Sequence, residues 1–537
     1  MIKEQLRKIV EESIKKIYPE IEIDFEIEYP PRKEMGDYST QVALKLAKKI
    51  KQKPAEIAQK IAENLPANNL IEKAAEQAGF LNFWLKSDFL ANEINQILNQ
   101  KSDYGHSDLG QGKKLQVEFI SANPTGPLTL GNARGGFLGD CLSNILSFAD
   151  YDVWREYYVN DCGKQIEALG KSVLGIEKIY QGEYIEQLKS RVKSKDPVKA
   201  GQEAAKIIKE EIIEADVGKM GIGFDQWFWE SSLILDGSVE KAIDELKKKK
   251  LVYEKEGALW FKTSQFSDDK DRVLVKKDGS YTYFATDIAN HLNKFDRGFE
   301  QVIDIWGADH HGDVPRIKAA AKVFGFDKKL EIILHQFVRI LEGGEPVRMS
   351  KRSGRYILIR DLIDEVGLDV VRFFFLMYDA NTHIDFDLKL AREHSEKNPV
   401  YYIQYMSARI NGILEKIKMQ KSILRLRSGL MVSEVEPSKI KMKMKNLEFS
   451  EKAEIDLVKE LIKFPDLIAE ITQDKQVQKL PQYLTSLART FHNFYDCCRV
   501  ISDDQVIDQN RLALVAASQI VLKNGLELLE IRAPERM

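Results

Sequence analysis

The sequence predicts an α/β core built on a Rossmann-like, doubly wound parallel sheet, with an N-terminal α+β domain and an all-α C-terminal helix bundle. Segments 115–121, 137–149 and 153–159 have the patterns of a strand, a helix and a strand, with a Pro/Gly loop before the helix. This order is typical of a βαβ unit. From Leu362 to Leu529 the apolar residues keep a helical spacing, which favours a helix bundle. The 537 residues are enough for about three or four domains.

The N-terminal α+β domain is expected over residues 1–110. From Ile2 to Ile17 the apolar residues recur every three or four positions, which predicts an amphipathic helix that ends before Pro19. Further helices are predicted over 42–50, 55–65 and 71–78, and strands over 21–29 and 79–85.

The core domain is expected over 111–360 and the helical domain over 361–537. A charged, largely helical stretch at 164–253 is predicted to be an insertion between two halves of the sheet. The sheet is then predicted to resume, with a hairpin region at 258–277, strands at 302–306 and 330–334, and a helix at 315–324. No strand is expected after the glycine-rich loop at 343–354.

Composition and charge exclude several classes of protein. With 44% hydrophobic and 30% charged residues, the chain resembles soluble globular proteins. It has neither an apolar run near the ~20 residues that span a bilayer nor a secretory signal, so a cytoplasmic protein without membrane contact is expected. Cys497 and Cys498 are adjacent, which is not the spacing of a zinc site, and no zinc is expected. Because the net charge is −3, any nucleic-acid surface must be local.

A glycine-rich loop within 118–136 follows the first core strand. The strand is expected to end near Ser121 and a helix to begin near Gly131. Gly126, Gly131 and the helix N-terminus would then let backbone N–H groups approach an anion such as a nucleotide phosphate. The loop has neither the GxGxxG nor the P-loop pattern, which disfavours a dehydrogenase and a P-loop NTPase. The alternative is a turn that only packs a helix onto the sheet.

A second loop, at 343–354, holds the three cations Arg348, Lys351 and Arg352. Such a loop can neutralise phosphate charge as it develops. The alternative is a short basic run on a solvated face.

In this order, the two loops resemble the nucleotide-binding motifs of class I aminoacyl-tRNA synthetases. The first motif, HIGH in that class, is Thr129-Leu130-Gly131-Asn132 here, and the second, KMSKS, is Arg348-Met349-Ser350-Lys351-Arg352. Within the class, the chain resembles the arginyl-tRNA synthetase family, since further segments match along nearly its whole length. These segments are 35–39, 118–127, 157–165, 283–289, 307–311, 401–405 and 525–534.

The resemblance implies an arginine–tRNA ligase. ATP activates L-arginine to arginyl-adenylate, with Mg²⁺ accompanying ATP, and the arginyl group passes to the 3′-terminal adenosine of tRNA(Arg). The expected form is a monomer whose C-terminal domain contacts the anticodon and whose N-terminal domain contacts the tRNA elbow. For contacts with RNA, 416–445 is either a phosphate-binding basic run or a disordered linker, and Tyr401, Tyr402 and Tyr405 either stack on bases or pack in the core.

The resemblance also implies roles for single residues. Asp287 is expected to hold the guanidinium with Tyr283 beside it, while Asn123, Glu118 and Asp309 orient the α-amino and carboxylate end. The expected catalytic residues are Thr129, Asn132, Arg348 and Lys351. The expected ATP-binding residues are Gly126, Gly131, Asn132, His310, Met349, Ser350 and Lys351. Without the resemblance, 283–287 is a strand-to-helix transition with Asp287 as the N-cap. His310 and His311 lack a third metal ligand, and no metal site is expected.

Three residues depart from the family pattern. Thr129 and Asn132 stand where the family usually has histidines, and neither can carry a positive charge near neutral pH. Arg348 replaces a lysine, so that a planar guanidinium group stands where the family has a compact ammonium group. These departures leave open a catalytically impaired tRNA-binding paralogue. A synthetase for cysteine should carry zinc ligands, and one for a large aliphatic amino acid a longer insertion than 164–253.

Overall fold

The computed structural model describes residues 1–266, 268–347, 358–427 and 447–537 of the chain. Within these ranges, no helix combines the length and the apolar character that crossing a membrane requires. The chain forms an N-terminal α+β unit, a central unit around a five-stranded sheet, and a C-terminal helical unit. The predicted fold class is confirmed, whereas the predicted domain limits near 110 and 360 stay a prediction.

The N-terminal unit is a three-stranded antiparallel sheet with helices packed against it. Its elements are α1 (Ile2–Ile17), β1 (Tyr38–Thr40), α2 (Val42–Ile50), α3 (Pro54–Glu63), β2 (Ile71–Gln77), β3 (Phe80–Leu85) and α4 (Ser87–Gln100). The strands pair in the order β1-β3-β2. Leu6 and Val10 of α1 are fully buried because its apolar residues share one face.

Two sequence predictions in this unit are wrong. Residues 71–78, predicted as a helix, form β2. Glu, Lys and Ala favour a helix locally, but Ala78 and Gly79, with φ of 54° and 83°, form a tight turn that lets β2 pair with β3. Residues 21–29, predicted as a strand, contribute to the described sheets only the isolated bridge between Glu28 and Ser39.

The central unit contains the predicted doubly wound sheet. Its elements up to the last sheet strand are β4 (Lys114–Glu118), α5 (Leu130–Phe148), β5 (Asp152–Val159), α6 (Lys164–Val173), α7 (Glu183–Lys189), α8 (Pro197–Ile208), α9 (Glu214–Lys219), β6 (Gln226–Trp229), α10 (Glu230–Leu235), α11 (Ser238–Lys248), β7 (Val252–Lys255), β8 (Ala258–Phe261), β9 (Arg272–Val275), α12 (Tyr283–Asp296), β10 (Gln301–Gly307), α13 (Val314–Phe324) and β11 (Leu330–His335). The sheet order is β11-β10-β4-β5-β6, and every pairing is parallel.

This strand order fixes the position of the site. The connections change direction at β4, whose neighbours are β5 on one side and β10 on the other, so a crevice opens at the carboxyl ends of these strands. The predicted insertion at 164–253 is largely helical, but β6 lies within it and pairs with β5. Glu230, which follows β6, therefore belongs to the core edge that borders the crevice.

A small sheet follows the central one. It consists of β12 (Val338–Glu342), β13 (Glu345–Pro346) and, after α14 (Ile359–Val366) and α15 (Leu368–Leu376), β14 (Ile384–Asp387). The expectation that no strand follows 343–354 is wrong. The four-residue β14 is too short for a clear pattern, yet it pairs in parallel with β12 and buries Ile384 and Phe386.

The C-terminal unit is helical, as predicted. Its elements are α16 (Leu388–Ala391), α17 (Pro399–Arg427), α18 (Lys452–Leu461), α19 (Phe464–Asp474), α20 (Lys479–Cys497) and α21 (Gln509–Leu528). The C-terminal unit also contacts the N-terminal unit. Lys459 Nζ lies 2.7 Å from Asp37 Oδ1, and the amide of Lys3 donates to Asp466 Oδ1 at 3.3 Å. Residues 428–445 of the predicted basic run lie outside the described residues.

Candidate active site

The chain turns sharply where β4 ends at the crevice. Ile120 and Ser121 have φ of 65° and 39°, a region that non-glycine residues adopt at a cost and that is found most often at functional sites. The turn is held from β5, because the Tyr158 amide donates to Ser121 Oγ at 3.0 Å and the Tyr157 hydroxyl donates to the Ala122 carbonyl at 2.9 Å. The loop at 122–129 is thereby fixed above the sheet edge.

Thr129 and Asn132 cap the helix that follows. Thr129 is the N-cap of α5, and its hydroxyl donates to Asn132 Oδ1 at 2.8 Å. The backbone amide of Thr129 donates to the same oxygen at 3.0 Å. Among the described contacts of Asn132, Nδ2 has no partner. The helix beginning predicted near Gly131 is confirmed, and a helix N-terminus with a free amide donor faces the crevice.

Helix α5 is fixed against the end of β11 by two residues that the sequence analysis did not single out. Arg134 is buried, and its guanidinium donates to the carbonyls of Gln336 at 2.8 Å and Asp379 at 2.9 Å. His335 Nε2 fills the space that a side chain at Gly135 would need, at 2.8 Å from the position of its Cβ. Burial lowers the pKa of His335 to about 4, so this imidazole is neutral near pH 7.

On the β5 and β6 side, the carboxyl groups of Glu230 and Asp287 lie near buried polar atoms that lack hydrogen-bond partners among the described residues, and we refer to this group of side chains as the pocket. The Thr286 hydroxyl donates to Glu230 Oε1 at 2.6 Å, while Glu230 Oε2 and the Tyr158 hydroxyl are buried without a hydrogen-bond partner among the described residues. Burial raises the pKa of Glu230 to about 7, and the nearby Asp287 adds to the rise. Burial likewise raises the pKa of the half-buried Asp287 to about 6. Such a pocket is suited to a ligand with several cationic donors.

Tyr283 and Asn123 lie at the rim of this pocket. Burial raises the pKa of the Tyr283 hydroxyl, and the nearby backbone amides of Lys164 and Gln165 oppose this rise. It lies against Gly163, where a Cβ would come within 2.6 Å of the hydroxyl. Asn123 Nδ2 donates to Gln165 Oε1 at 2.7 Å. The loops after β4 and β5 and the beginning of α12 therefore converge, which brings Asn123 and Tyr283 to the same region.

Glu118 lies beneath the pocket in a buried ion cluster. Lys294 Nζ lies 2.6 Å from Glu118 Oε2 and 2.7 Å from Asp304 Oδ1. His291 Nε2 lies 2.7 Å from Asp304 Oδ2. Burial alone would lower the pKa of Lys294, but the carboxylates of Asp304 and Glu118 raise it. The cluster binds α12 to β4 and β10, and Glu118 already has a cationic partner.

Asp309 and His310 lie on the other side of the crevice, after β10. The Asp309 side chain is exposed, lies 3.8 Å from His310 Nε2 and occupies the space that a side chain at Gly307 would need. His310 Nδ1 lies 3.1 Å from Asp313 Oδ2, which raises the pKa of His310. The structure thus places Asp309 with His310 rather than with Glu230 and Tyr158.

Other predicted residues are placed only in part. Gly126 lies against Tyr184, whose hydroxyl donates to the Thr125 carbonyl at 2.9 Å, and Gly131 lies in the first turn of α5. Arg348, Met349, Ser350 and Lys351 lie outside the described residues. In the described part of the chain, no group of three or more His, Cys, Asp or Glu side chains is arranged to hold a metal ion.

Comparisons with known proteins agree with this geometry. Family models match over most of the chain: "Arginyl tRNA synthetase N terminal domain" at 4–85, "tRNA synthetases class I (R), catalytic domain" at 93–195 and 191–374, and "DALR anticodon binding domain" at 403–537. An arginine–tRNA ligase of Listeria welshimeri is 42% identical, covering 97% of this chain and 96% of the relative. One of Aquifex aeolicus is 39% identical over the whole of both chains. The structure of Thermus thermophilus arginyl-tRNA synthetase, 22% identical and covering both chains in full, shares the fold with a TM-score of 0.77.

Proposed function

Because the chain belongs to the arginyl-tRNA synthetase family, we propose specific roles for the residues around the crevice in an arginine–tRNA ligase. The chain activates L-arginine with ATP and transfers the arginyl group to the 3′-terminal adenosine of tRNA(Arg). We also propose that Mg²⁺ accompanies ATP, that the protein is a monomer and that it is cytoplasmic.

The observation that carries the proposal is the unsatisfied pocket around Glu230 and Asp287. Two carboxyl groups with raised pKa values and a buried Tyr158 hydroxyl without a partner form its wall. A guanidinium offers donors in a planar fork that matches carboxylates. We assign the guanidinium to Asp287 and Glu230, with Tyr283 beside it at the rim. An uncharged side chain would leave these carboxyl groups buried and unpaired, which is how the pocket selects arginine.

The remaining arginine contacts follow from the rim. Asn123, fixed by Gln165, is placed to orient the α-amino and carboxylate end. Glu118 is paired with Lys294, so we propose that it orients arginine through the position of α12, which carries Tyr283 and Asp287. Asp309 lies beside His310 on the half of the crevice that we assign to ATP, and we propose that its carboxylate accepts hydrogen bonds from the α-amino group of arginine.

The adenylation step places ATP across the N-terminus of α5. An α-carboxylate oxygen of arginine attacks the α-phosphorus of ATP, a new P–O bond forms, and the bond to the leaving pyrophosphate breaks. Thr129 and Asn132, with the helix N-terminus, supply neutral donors to the phosphate and ribose oxygens. The positive charges of Lys351 and Arg348 stabilise the negative charge that develops on the phosphates. The ATP site is completed by Gly126, Gly131, His310, Met349 and Ser350. Bound Mg²⁺ would accompany ATP and supply further positive charge to its phosphates.

The second step passes the arginyl group from AMP to a hydroxyl of the terminal adenosine. We propose that the helical C-terminal domain, residues 361–537, contacts the anticodon, and that the N-terminal domain, residues 1–110, contacts the tRNA elbow. The alternative of an impaired tRNA-binding paralogue relied on Thr129 and Asn132. A protein that only binds tRNA does not need the carboxylates of an amino-acid pocket. The presence of Glu230 and Asp287 therefore favours an active enzyme over this alternative.

Aminoacylation of purified tRNA(Arg) with each amino acid in turn tests the function. We expect stable charging with arginine and none with lysine, whose ammonium cannot bridge two carboxylates in a planar fork. Tight tRNA binding without arginyl-adenylate under any condition would instead establish the paralogue.

A further inference from the structure

The segments that flank the two nucleotide-binding motifs meet directly, although they are far apart in the sequence. Thr129, the first residue of the first motif, forms an isolated antiparallel bridge with Leu358. The Ile359 amide donates to the Leu128 carbonyl at 3.3 Å. Leu358 and Ile359 follow the second motif in sequence and begin α14. The beginnings of α5 and α14 are therefore paired through their backbones.

Asp216 binds both segments at this junction. Its side chain is 2% exposed. The Leu128 amide donates to Asp216 Oδ2 at 2.9 Å, and Arg360 Nε lies 2.8 Å from Asp216 Oδ1. One oxygen thus holds the residue before Thr129, while the other attracts a cation in the first turn of α14.

The helix that carries Asp216 has an unusual local structure. A π-helical turn at Lys209–Ile213 separates α8 from α9. A π turn adds residues to the helix and so rotates the following side chains relative to an uninterrupted helix. Asp216 reaches the junction from the helix after this turn. Single π turns of this kind are found frequently at functional sites.

We propose that Asp216 is a positioning residue for adenylate formation, which fixes the first motif relative to the segment that follows the second. This inference rests on the proposed function, because adenylation requires both motifs to act on one ATP. One carboxylate oxygen of Asp216 accepts from the Leu128 amide and the other attracts the Arg360 guanidinium. Loss of either contact would shift the motif, and displacement of reacting groups by about 1 Å can cost about a hundredfold in rate.

The same two helices offer a matched control. Lys219 Nζ of α9 lies 2.5 Å from Asp364 Oδ2 of α14, and the Asp364 side chain is 67% exposed. This pair joins α9 to α14 without touching Leu128. Asp364→Ala therefore removes a contact between the helices but leaves the motif junction unchanged.

The experiment measures arginyl-adenylate formation in single turnovers with tRNA(Arg) present, per active site, together with the KM for arginine and the melting temperature. We expect Asp216→Ala to slow the step about ten- to hundredfold, and Asp216→Asn to slow it less, because Asn keeps an acceptor for the Leu128 amide. The KM for arginine should stay within about twofold, since the guanidinium pocket lies on the β5 and β6 side. Asp364→Ala should match the wild type.

Three results would overturn the inference while the function stands. These are a wild-type rate per active site in Asp216→Ala, a rise in the arginine KM in proportion to the loss of rate, or an equal loss in Asp364→Ala. If Asp216→Asn is as slow as Asp216→Ala and its melting temperature is unchanged, the lost rate comes from the missing attraction between the carboxylate and Arg360. This result supports the inference. A wild-type chain that forms no adenylate would overturn the proposed function itself.

Discussion

Lys294 Nζ lies 2.6 Å from Glu118 Oε2, and the lysine side chain is completely buried. This contact joins α12, which carries Tyr283 and Asp287, to the end of β4, where the loop of the first motif begins. Asp304 and His291 complete the cluster. A buried charge without its partner is strongly destabilising, so the position of the proposed arginine pocket depends on this buried contact.

The first prediction concerns this cluster. Lys294→Met should destabilise the protein by about 3–5 kcal/mol, because Glu118 would remain buried without a cation and Asp304 would keep only His291. Thermal and urea unfolding measure the loss. Lys294→Met combined with Glu118→Gln should recover part of it, since one unpaired charge is removed. Equal stability of the single variant and the wild type would show that water reaches the cluster.

The second prediction concerns recognition of arginine. Asp287→Ala should weaken arginine binding by about 2–4 kcal/mol, because a charge-assisted hydrogen bond is lost and Glu230 alone faces the cation. The KM for arginine in aminoacylation measures this. Asp278→Asn, an exposed carboxylate in the turn before α12, is the control and should leave the KM unchanged. An unchanged KM in Asp287→Ala would reject the assignment.

The third prediction concerns pH. Because the pKa values of Asp287 and Glu230 are raised to about 6 and about 7, both carboxyl groups bind protons in the free enzyme at pH values where the unfolded chain has released them. The free enzyme should therefore lose stability from these groups as the pH rises from about 4 to about 7. Arginine, which binds the ionised carboxylates, should bind more tightly over the same rise.

The thermal shift caused by arginine between pH 5.5 and 8 measures this linkage, and it should increase with pH. Glu230→Gln should remove the upper part of the dependence. Thr129 and Asn132 do not titrate in this range, so the first motif should contribute none. A thermal shift that falls as the pH rises would contradict the pocket assignment.

The fourth prediction separates two functions of Asn132. Asn132→Ala should lower the adenylation rate roughly tenfold to a thousandfold, as loss of one preorganised donor does, and should also lose helix capping worth about 1 kcal/mol. Asn132→Asp keeps an oxygen for the Thr129 amide and hydroxyl but removes the amide donor. We expect this variant to keep the melting temperature and lose the rate. A wild-type rate in Asn132→Asp would limit Asn132 to capping.

The fifth prediction concerns Lys351. Lys351→Ala should slow adenylate formation far more than it weakens arginine binding, because the ammonium meets phosphate charge mainly in the transition state. Single-turnover pyrophosphate release with tRNA(Arg) present measures the rate. Parallel losses of rate and arginine affinity would indicate a structural role.

Sequence patterns predicted well those parts of the structure that short segments specify. The beginning of α5 was predicted near Gly131, after the Pro/Gly loop, and the helix begins at Leu130 with Thr129 as its N-cap. The motif residues were recognisable because their chemistry lies within a few consecutive positions. The β2 strand was mistaken for a helix because its helix-forming residues are outweighed by pairing with β3.

The sequence by itself determined the fold class and the two motifs, and through the family resemblance it proposed Asn123, Tyr283 and Asp287 as arginine-binding residues. Only the tertiary structure decided which carboxylates share the pocket, because Glu230 reaches it through the pairing of β6 with β5. It also decided that Glu118 is paired with Lys294 and that Asp216 joins both motif segments. The physical reason is that burial and charge pairing depend on contacts between residues distant in the chain, and no local pattern records these contacts.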